Sequence, residues 1–261
     1  MEKNYDVLEF YKIVNELIDL SRLEKTKEKF LDIDIIKEKS ILDKELMLMM
    51  EMIDFYKYDD GLELAGLADI TRMMNSIDII GSYLSAEDLA VLKKNLTIFR
   101  ISKSRAKNAR DKYKAIWNLF SDVEEVKDIE NFISEAINDE GVLKDEASIG
   151  LRDVRRQKQN INANIKEKFD ELISNKSTQN AIQERIITQR NDRYVIAVKT
   201  DFKGLIKGIE HDRSATGSTV YIEPLNIVSL NNKLREYEAR EREEIRKILL
   251  RICLLYTSPS P

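Results

Sequence analysis

Residues 193–224, RYVIAVKTDFKGLIKGIEHDRSATGSTVYIEP, depart most clearly from helical spacing in this chain. RYVIAVK (193–199), LIKGIEH (205–211) and STVYI (218–222) follow a period of two, which sets Tyr194, Ile196 and Val198 against Val195 and Ala197 and is typical of strands. The segments between them are rich in Asp, Ser, Thr and Gly, residues that favour turns. With Ile186 and Ile187 just upstream, the pattern predicts a small antiparallel meander of three or four strands, a β module at about residues 184–223.

Long helices are predicted on both sides of this module. Before it, residues 151–173 contain neither Gly nor Pro and carry a narrow apolar stripe with heptad-like spacing. After Pro224, a residue well suited to the first position of a helix, residues 225–252 repeat apolar side chains mostly every three, four or seven positions. A stripe this narrow needs a partner along its length. The sequence therefore predicts two antiparallel helices that form an arm, with the β module at its tip.

The rest of the chain is predicted to be helical, which gives a mainly α fold with one small antiparallel β module. Residues 1–150 are expected to form a helical core of successive amphipathic helices. One of these helices covers about residues 39–57, and its four methionines are predicted to pack in the core. Another covers about residues 86–115, with Ser85 as its N-cap and Asp88 three residues later.

The arm is assigned to residues 151–252, which leaves CLLYTSPSP at 253–261. Two prolines appear at once in these nine residues. We therefore expect the helix to end at Ile252 and residues 253–261 to be a non-native tail. A genuine terminus is the alternative.

Composition excludes several classes of protein. Only 8 Gly and 3 Pro occur in 261 residues, and 34% of the residues are charged, which favours long helices over collagen or all-β folds. The hydrophobic fraction of 43% argues against wholesale disorder. Cys253 and His211 are each the single residue of their type, so intrachain disulfides and His/Cys metal clusters are excluded. The charged N-terminus does not resemble a signal peptide, and we expect a soluble, cytoplasmic protein without a membrane partner.

Charge is unevenly distributed along the chain. Residues 1–145 carry 22 basic and 31 acidic side chains, whereas residues 146–252 carry 21 basic and 16 acidic ones. The sharpest local feature is RISKSRAKNARDKYK at 100–114, with seven basic residues and one acid. Two interpretations stay open for it: a solvated helix face or a contact for phosphate groups.

The β module carries the candidate nucleic-acid contacts, because basic side chains there would bind phosphates without regard to base sequence. The alternative for each of them is solubility of a small sheet. His211 with Asp212 is predicted to fix a turn by hydrogen bonds, and Gly217 to permit a turn. The predicted contact residues are Arg190, Arg193, Lys199, Lys203, Lys207 and Arg213.

Motifs for catalysis are missing from this sequence. It contains no G-x-x-x-x-G-K-[ST], no G-x-G-x-x-G and no G-x-S-x-G. Its carboxylates lie on charged helix faces, where acid–base pairs are not identifiable. We therefore predict no catalytic residue, no cofactor site and no metal site in this chain, which by itself reads as a binding or structural module.

The residues of the β module and the following helix closely resemble the MutS family. The likeness is to the bacterial branch that lacks the mismatch-reading domain and carries a Smr domain, MutS type two. It covers about residues 5–252. The segments that carry it are VLEFYKIV (7–14), GLADI (66–70), LSAEDL (84–89), INDEGVLKDEASIGLRDVRRQ (137–157), RNDRYVIAVK (190–199), HDRSATGSTVYIEP (211–224) and LNNKLRE (230–236).

This resemblance implies that the chain is the core and clamp portion of an ATP-driven nucleic-acid clamp. Relatives carry an ATPase domain that binds ATP and Mg²⁺ and forms the homodimer contact, followed by the Smr endonuclease-like domain. The branch is associated with suppressing recombination at branched DNA and with rescuing collided ribosomes, so branched DNA and ribosomal RNA are both implied partners. None of the nucleotide or nuclease residues of the family has a counterpart in this sequence.

Three functional hypotheses follow from these observations. The first is the nucleic-acid clamp arm. The second is a non-catalytic helical arm whose tip binds a protein or a ribosomal surface. The third is an enzyme in its own right, for which the sequence offers no motif.

Overall fold

The computed structural model describes residues 8–33, 35–77, 79 and 82–257. The chain divides into two compact units, one formed by residues 1–144 and 249–261 and the other by residues 145–248. Helices dominate, and the described strands make one small antiparallel sheet. The predicted fold class, mainly α with a small antiparallel β module, is confirmed. Residues 258–261 of the predicted tail lie outside the described residues.

The first unit is mainly helical in its described part, with non-helical connections and one isolated β-bridge between Ile137 and Leu143. Helices α3 and α5 begin where the sequence pattern places them, at Lys39 and Ala86. The helices are α1 (Phe10–Leu20), α2 (Glu24–Leu31), α3 (Lys39–Tyr58), α4 (Thr71–Ile77), α5 (Ala86–Asn108), α6 (Lys114–Phe120) and α7 (Lys127–Ala136).

The predicted start of helix α5 is confirmed, but its predicted end is wrong. The Ser85 hydroxyl accepts a hydrogen bond from the Asp88 amide at 3.0 Å, as the predicted N-cap requires. The helix ends at Asn108, although the pattern predicts about residue 115. The chain leaves the helix so that Tyr113 becomes buried, with its ring 5.2 Å from that of Phe55.

Of the four methionines of α3 that were predicted to pack in the core, only Met52 does so. Met47, Met49 and Met50 are all more than half exposed. Helix α3 instead packs a narrow stripe, in which Leu48 and Met52 lie against the cluster that contains the fully buried Phe55. Positions 48, 52 and 55 share one helix face, and the three exposed methionines fall off it.

Two long helices and the sheet make up the second unit. A 3₁₀ turn at Asp145–Ala147 leads into α8 (Ile149–Ser174), which is capped by the Ser148 hydroxyl accepting from the Leu151 amide at 2.9 Å. Helix α9 (Leu225–Thr257) returns after the sheet, and its residues up to 248 belong to this unit. It continues five residues past Ile252, so the expected break at that residue is wrong.

Helices α8 and α9 run antiparallel, as predicted. The Glu241 carboxylate, near the middle of α9, binds Arg155 at 2.9 Å and Lys158, both in the first half of α8. At the other end, Phe169 of α8 shares one hydrophobic cluster with Ile227, near the start of α9. The first half of α8 lies beside Glu241, and the end of α8 lies beside the start of α9. The two helices therefore run in opposite directions.

The sheet has four antiparallel strands in the order β1-β2-β4-β3. The predicted meander would have the order 1-2-3-4, so the strand order is wrong although the strands themselves are confirmed. The apolar β4 takes the central place, whereas the polar β3 lies at the edge, where its side chains reach water. The strands are β1 (Ile182–Arg190), β2 (Arg193–Lys199), β3 (Gly208–Arg213) and β4 (Thr219–Pro224).

The connection between β2 and β3 makes this order possible. A second 3₁₀ segment, Thr200–Leu205, carries the chain back to Gly208, which pairs with Pro224 at the far end of β4. A Cβ atom at Gly208 would collide with the backbone of Glu223, so this close approach needs glycine. Pro224 is therefore the last residue of a strand, and α9 begins at Leu225, one residue later than predicted.

The core of the second unit lies between the sheet and the two helices. It is made almost entirely of branched aliphatic side chains and one phenylalanine. Its buried members are Ile161, Ile165, Phe169, Ala181, Ile182, Ile196, Val198, Ile206, Val220, Ile222, Ile227 and Leu234. Within the described ranges, no helix combines the length and the apolar character that a membrane span requires.

Candidate nucleic-acid interface

The six predicted contact residues do not form one cluster. Arg190 and Arg193 face each other across the β1–β2 turn, at the end of the sheet where Asp192 pairs with Arg235 of α9 at 3.4 Å. Lys199 lies at the opposite end, next to Thr219 on β4. The two residue types also differ in their contacts, because the arginines form ion pairs with carboxylates and the lysines form none among the described residues.

Each of the three arginines already has a carboxylate partner. Arg193 binds Glu223 at 2.9 Å, and its side chain is only 18% exposed. Arg190 binds Asp212 at 3.2 Å and lies 4.1 Å above the ring of Tyr221. Arg213 pairs with Glu210 on the same strand. All three guanidinium groups are therefore engaged in ion pairs within the fold, and Arg193 is also largely buried.

A buried polar network surrounds Glu223, which is fully buried. Its carboxylate oxygens bind Arg193, His211 Nε2 at 2.6 Å and the Asn231 amide at 2.8 Å. Burial raises the pKa of Glu223, but the hydrogen bonds from Asn231, His211 and Arg193 outweigh it and hold the pKa below its ordinary value. The site therefore keeps a charged carboxylate inside the module.

Asn231 links this network to the backbone of β2. Its side-chain oxygen accepts from the Tyr194 amide at 3.2 Å, and its side-chain nitrogen donates to the Tyr194 carbonyl at 3.1 Å. Because Asn231 is 1% exposed and lies on α9, one side chain ties the helix to the sheet and satisfies two buried backbone groups.

The contacts of His211 differ from the prediction. His211 bonds Glu223 on β4 and is a structural residue, but it does not fix the following turn. That turn is closed by Ser214, which accepts at its hydroxyl from the Thr219 amide at 3.1 Å. Gly217 adopts a φ of 70° there, the left-handed conformation that the sequence predicts for a turn glycine. Asp212 is occupied by Arg190 and by the Arg213 amide at 2.8 Å.

Three lysines of the module make no ion pair among the described residues. Lys203 lies on the 3₁₀ segment after β2 and is exposed, as is Lys207 just before β3. Lys199 is half-buried at the end of β2. Ammonium groups in this state are the ones available for an anionic ligand.

The basic stretch at 100–114 is largely used within the first unit. Arg100 binds Glu130 at 3.1 Å, and Arg105 binds Glu63 at 3.1 Å. Lys112 binds Asp59 at 2.7 Å. These contacts favour a helix face paired with nearby acids over a phosphate contact.

Metal ligands do not cluster in the part of the chain that the structure describes. No group of three or more His, Cys, Asp or Glu side chains there could hold a metal ion.

Comparison with known proteins identifies the family. No protein-family model matches the sequence. Proteins named Endonuclease MutS2 are similar along nearly all of it: that of Fusobacterium nucleatum is 46% identical over 252 residues, covering 97% of this chain and 32% of the relative. Those of Caldanaerobacter subterraneus and Alkaliphilus oremlandii are 35% and 33% identical, covering 96% and 99% of this chain. This chain belongs to the MutS family, in its MutS2 branch.

The chain spans about a third of the length of these MutS2 relatives. The resemblance carried by residues 190–199, 211–224 and 230–236 is thereby confirmed as a family relationship. These relatives are named endonucleases, which describes those whole proteins.

Sequence reasoning missed the residues that organise this MutS2 module. Glu223 and Asn231 lie within HDRSATGSTVYIEP (211–224) and LNNKLRE (230–236), and the sequence alone assigns them no role. A signal was present: Glu223 is an acid inside the otherwise apolar strand TVYIEP, and a buried acid needs a basic partner. Arg193 and His211 are the basic residues that the sheet register brings to it.

Proposed function

We propose that residues 145–248 are the arm and clamp of a nucleic-acid clamp, and that Lys199, Lys203 and Lys207 contact phosphate groups. The observation that supports this most directly is that these lysines lack ion-pair partners within the described residues, whereas the three candidate arginines, Arg190, Arg193 and Arg213, each pair with a carboxylate. Lysine–phosphate contacts of this kind give binding that is independent of base sequence and sensitive to salt.

The wider role follows from the family and concerns a longer protein. We infer that the clamp works within an ATP-driven cytoplasmic homodimer that closes on branched DNA, or on ribosomal RNA of collided ribosomes. ATP, Mg²⁺ and the endonuclease activity belong in this proposal to segments outside the present sequence, since it carries no P-loop motif. The isolated 261 residues are expected to show neither ATPase nor nuclease activity.

The salt dependence of binding tests the phosphate contacts. The triple variant Lys199→Gln, Lys203→Gln, Lys207→Gln should bind a branched DNA more weakly than the unmodified chain. The slope of log affinity against log salt should fall by roughly 2.7, which corresponds to three lost contacts with duplex DNA. Fluorescence anisotropy at several salt concentrations provides the measurement.

A matched control separates local contacts from net charge. Lys37, Lys39 and Lys44 are exposed lysines of the first unit that also make no ion pair among the described residues. Their triple glutamine variant changes the net charge by the same amount and should leave the slope unchanged. An equal loss of slope in both triple variants would show that the module has no special contact with phosphates.

The second candidate function is a non-catalytic arm that binds a protein or ribosomal surface. The exposed apolar side chains Ile186 and Leu205 of the module favour it. Cosedimentation with intact and nuclease-treated ribosomes distinguishes the two candidates. Binding that survives removal of the RNA supports the protein surface, and binding that is lost supports the nucleic-acid clamp.

A further inference from the structure

Phe202 is an exposed aromatic residue that lies between Lys199, at the end of β2, and Lys203. Its side chain is 44% exposed, and it lies in the 3₁₀ segment Thr200–Leu205 directly before Lys203. Residues three apart eclipse each other in a 3₁₀ helix, so Leu205, which is 54% exposed, lies on the same edge as Phe202. The segment therefore presents two apolar side chains, Phe202 and Leu205, to solvent.

The segment that carries Phe202 is held at both ends. The Thr200 hydroxyl donates to the Gly217 carbonyl at 2.6 Å, and the Thr200 amide donates to the Ser218 carbonyl at 3.0 Å. At the other end, Ile206 is 4% exposed in the core of the module. An aromatic ring on an anchored turn loses little freedom when a ligand binds, which favours recognition.

The turn that carries Phe202 is open to solvent at Gly204. A Cβ atom at Gly204, two residues after Phe202, would have no other atom within 4 Å. Lys203 and Lys207 lie one and five residues after the phenylalanine and form no ion pair in the described part of the chain. The turn thus combines, within six residues, an exposed aromatic side chain, open space at Gly204 and two lysines that form no ion pair among the described residues, with Lys203 near enough to Glu210 to help lower the pKa of that carboxyl.

We propose that Phe202 is a stacking site for an unpaired base of single-stranded DNA, whose phosphates are bound by Lys203 and Lys207. A base and its phosphates combine a flat apolar face with negative charge, which matches this set of side chains. Base pairs within a duplex do not expose their faces, so the ring selects unpaired bases. Leu205 and Ile209 are apolar neighbours in the chain that suit deoxyribose, which lacks the 2′-hydroxyl of RNA. This inference rests on the proposed nucleic-acid clamp and names the form of DNA that it recognises.

The test measures the affinity of the 261-residue chain for a fluorescent 15-nucleotide oligo(dA) and for a 15-base-pair duplex. Phe202→Leu keeps the apolar character and removes the aromatic face. It should weaken binding to the single strand about tenfold and leave duplex binding unchanged. Phe202→Trp should restore or tighten single-strand binding. Phe132→Leu is the control, because Phe132 is an exposed phenylalanine of the first unit and its variant should bind like the unmodified chain.

Salt dependence separates the ring from the lysines. The variant Lys203→Gln, Lys207→Gln should lower the single-strand salt slope by roughly 1.4, whereas Phe202→Leu should leave the slope unchanged because the ring contacts no phosphate. Equal single-strand affinity of Phe202→Leu and the unmodified chain would overturn the stacking site. A Phe202 dependence seen only with oligo(rA) would overturn single-stranded DNA as its ligand.

The failure of this inference differs from failure of the clamp proposal. If the unmodified chain binds the duplex with the expected salt dependence and Phe202→Leu has no effect on either ligand, only the stacking site is wrong. If the unmodified chain binds neither DNA, the stacking site is wrong and the clamp proposal is left with ribosomal RNA as its ligand, which cosedimentation with intact and nuclease-treated ribosomes tests.

Discussion

The side-chain nitrogen of Asn231 lies 2.8 Å from a carboxylate oxygen of Glu223, eight residues earlier in the chain. The first residue belongs to α9 and the second to β4, and both are almost completely buried. The same amide of Asn231 also bonds both backbone groups of Tyr194 on β2. One asparagine therefore connects a helix, a strand and a buried charge.

Replacing Asn231 with Ala should lower the free energy of unfolding by about 1–3 kcal/mol, because buried hydrogen-bonding groups of Tyr194 and Glu223 lose their partner. Urea unfolding followed by circular dichroism measures this change. The neighbouring Asn232 is exposed, so Asn232→Ala should change the stability by less than about 0.5 kcal/mol. Equal effects of the two substitutions would contradict the assigned role of Asn231.

The buried carboxylate of Glu223 should make stability depend on pH below about 5. Its pKa in the folded chain lies below the ordinary value of 4.5, so the folded state binds this proton less readily than the unfolded chain does. Stabilisation by the carboxylate is thus complete above the unfolded pKa and is lost as pH falls through the folded pKa.

The variant Glu223→Gln isolates this contribution. At pH 7 it should be less stable by about 2 kcal/mol, since Arg193 and His211 lose a charged partner. Between pH 5 and 3 its deficit should shrink as the carboxylate of the unmodified chain is protonated. Urea unfolding at a series of pH values gives both curves, and parallel curves over this range would be inconsistent with a depressed pKa at Glu223.

Phe169 should be among the largest contributors to the core of the second unit, because it is fully buried between α8 and the sheet. Phe169→Ala should cost about 3–5 kcal/mol through lost burial and the cavity that remains. Thermal or urea unfolding provides the measurement. Phe202→Ala is the comparison on the same module, and its expected loss below about 1 kcal/mol reflects the exposure of that ring.

Glu241 should stabilise the pairing of the two long helices. Burial raises its pKa, but hydrogen bonds from Lys158 and Arg155 outweigh burial and keep the pKa below its ordinary value. Glu241→Gln should therefore lower the unfolding free energy at pH 7 by about 1–3 kcal/mol. Glu236→Gln, which affects an exposed pair with Arg240 within α9, should cost less than about 1 kcal/mol. The ranking of the two variants checks the interhelical role.

Local periodicity explains which parts of the fold were predictable. The stripes of α8 and α9 and the alternation in β2 and β4 are properties of short segments, and the structure has the predicted elements there. The break after Asn108 was not predictable in this way, because it depends on the burial of Tyr113 against Phe55, nearly sixty residues earlier. The strand order was not predictable from local periodicity either, because it depends on which strand is apolar enough to lie in the centre of the sheet.

The candidate site was only partly predictable for the same reason. Basic residues of the module can be read from the sequence, but their partners cannot, since Arg193 and Glu223 are separated by 30 residues and meet only through the register of β2 and β4. Ion pairs divide the predicted contacts into occupied arginines and free lysines. Substitutions that test phosphate binding should therefore be made at the lysines, because substitutions at the paired arginines would also disturb the fold.

Strand β4 passes into α9 without an intervening loop, since Pro224 ends the strand and Leu225 begins the helix. Proline restricts the backbone at that junction, and Asn231 fastens the second helical turn to β2. The sheet is therefore joined to α9 at this junction without a flexible linker. We expect torsion in the first two turns of α9 to be passed directly to β2 and β4.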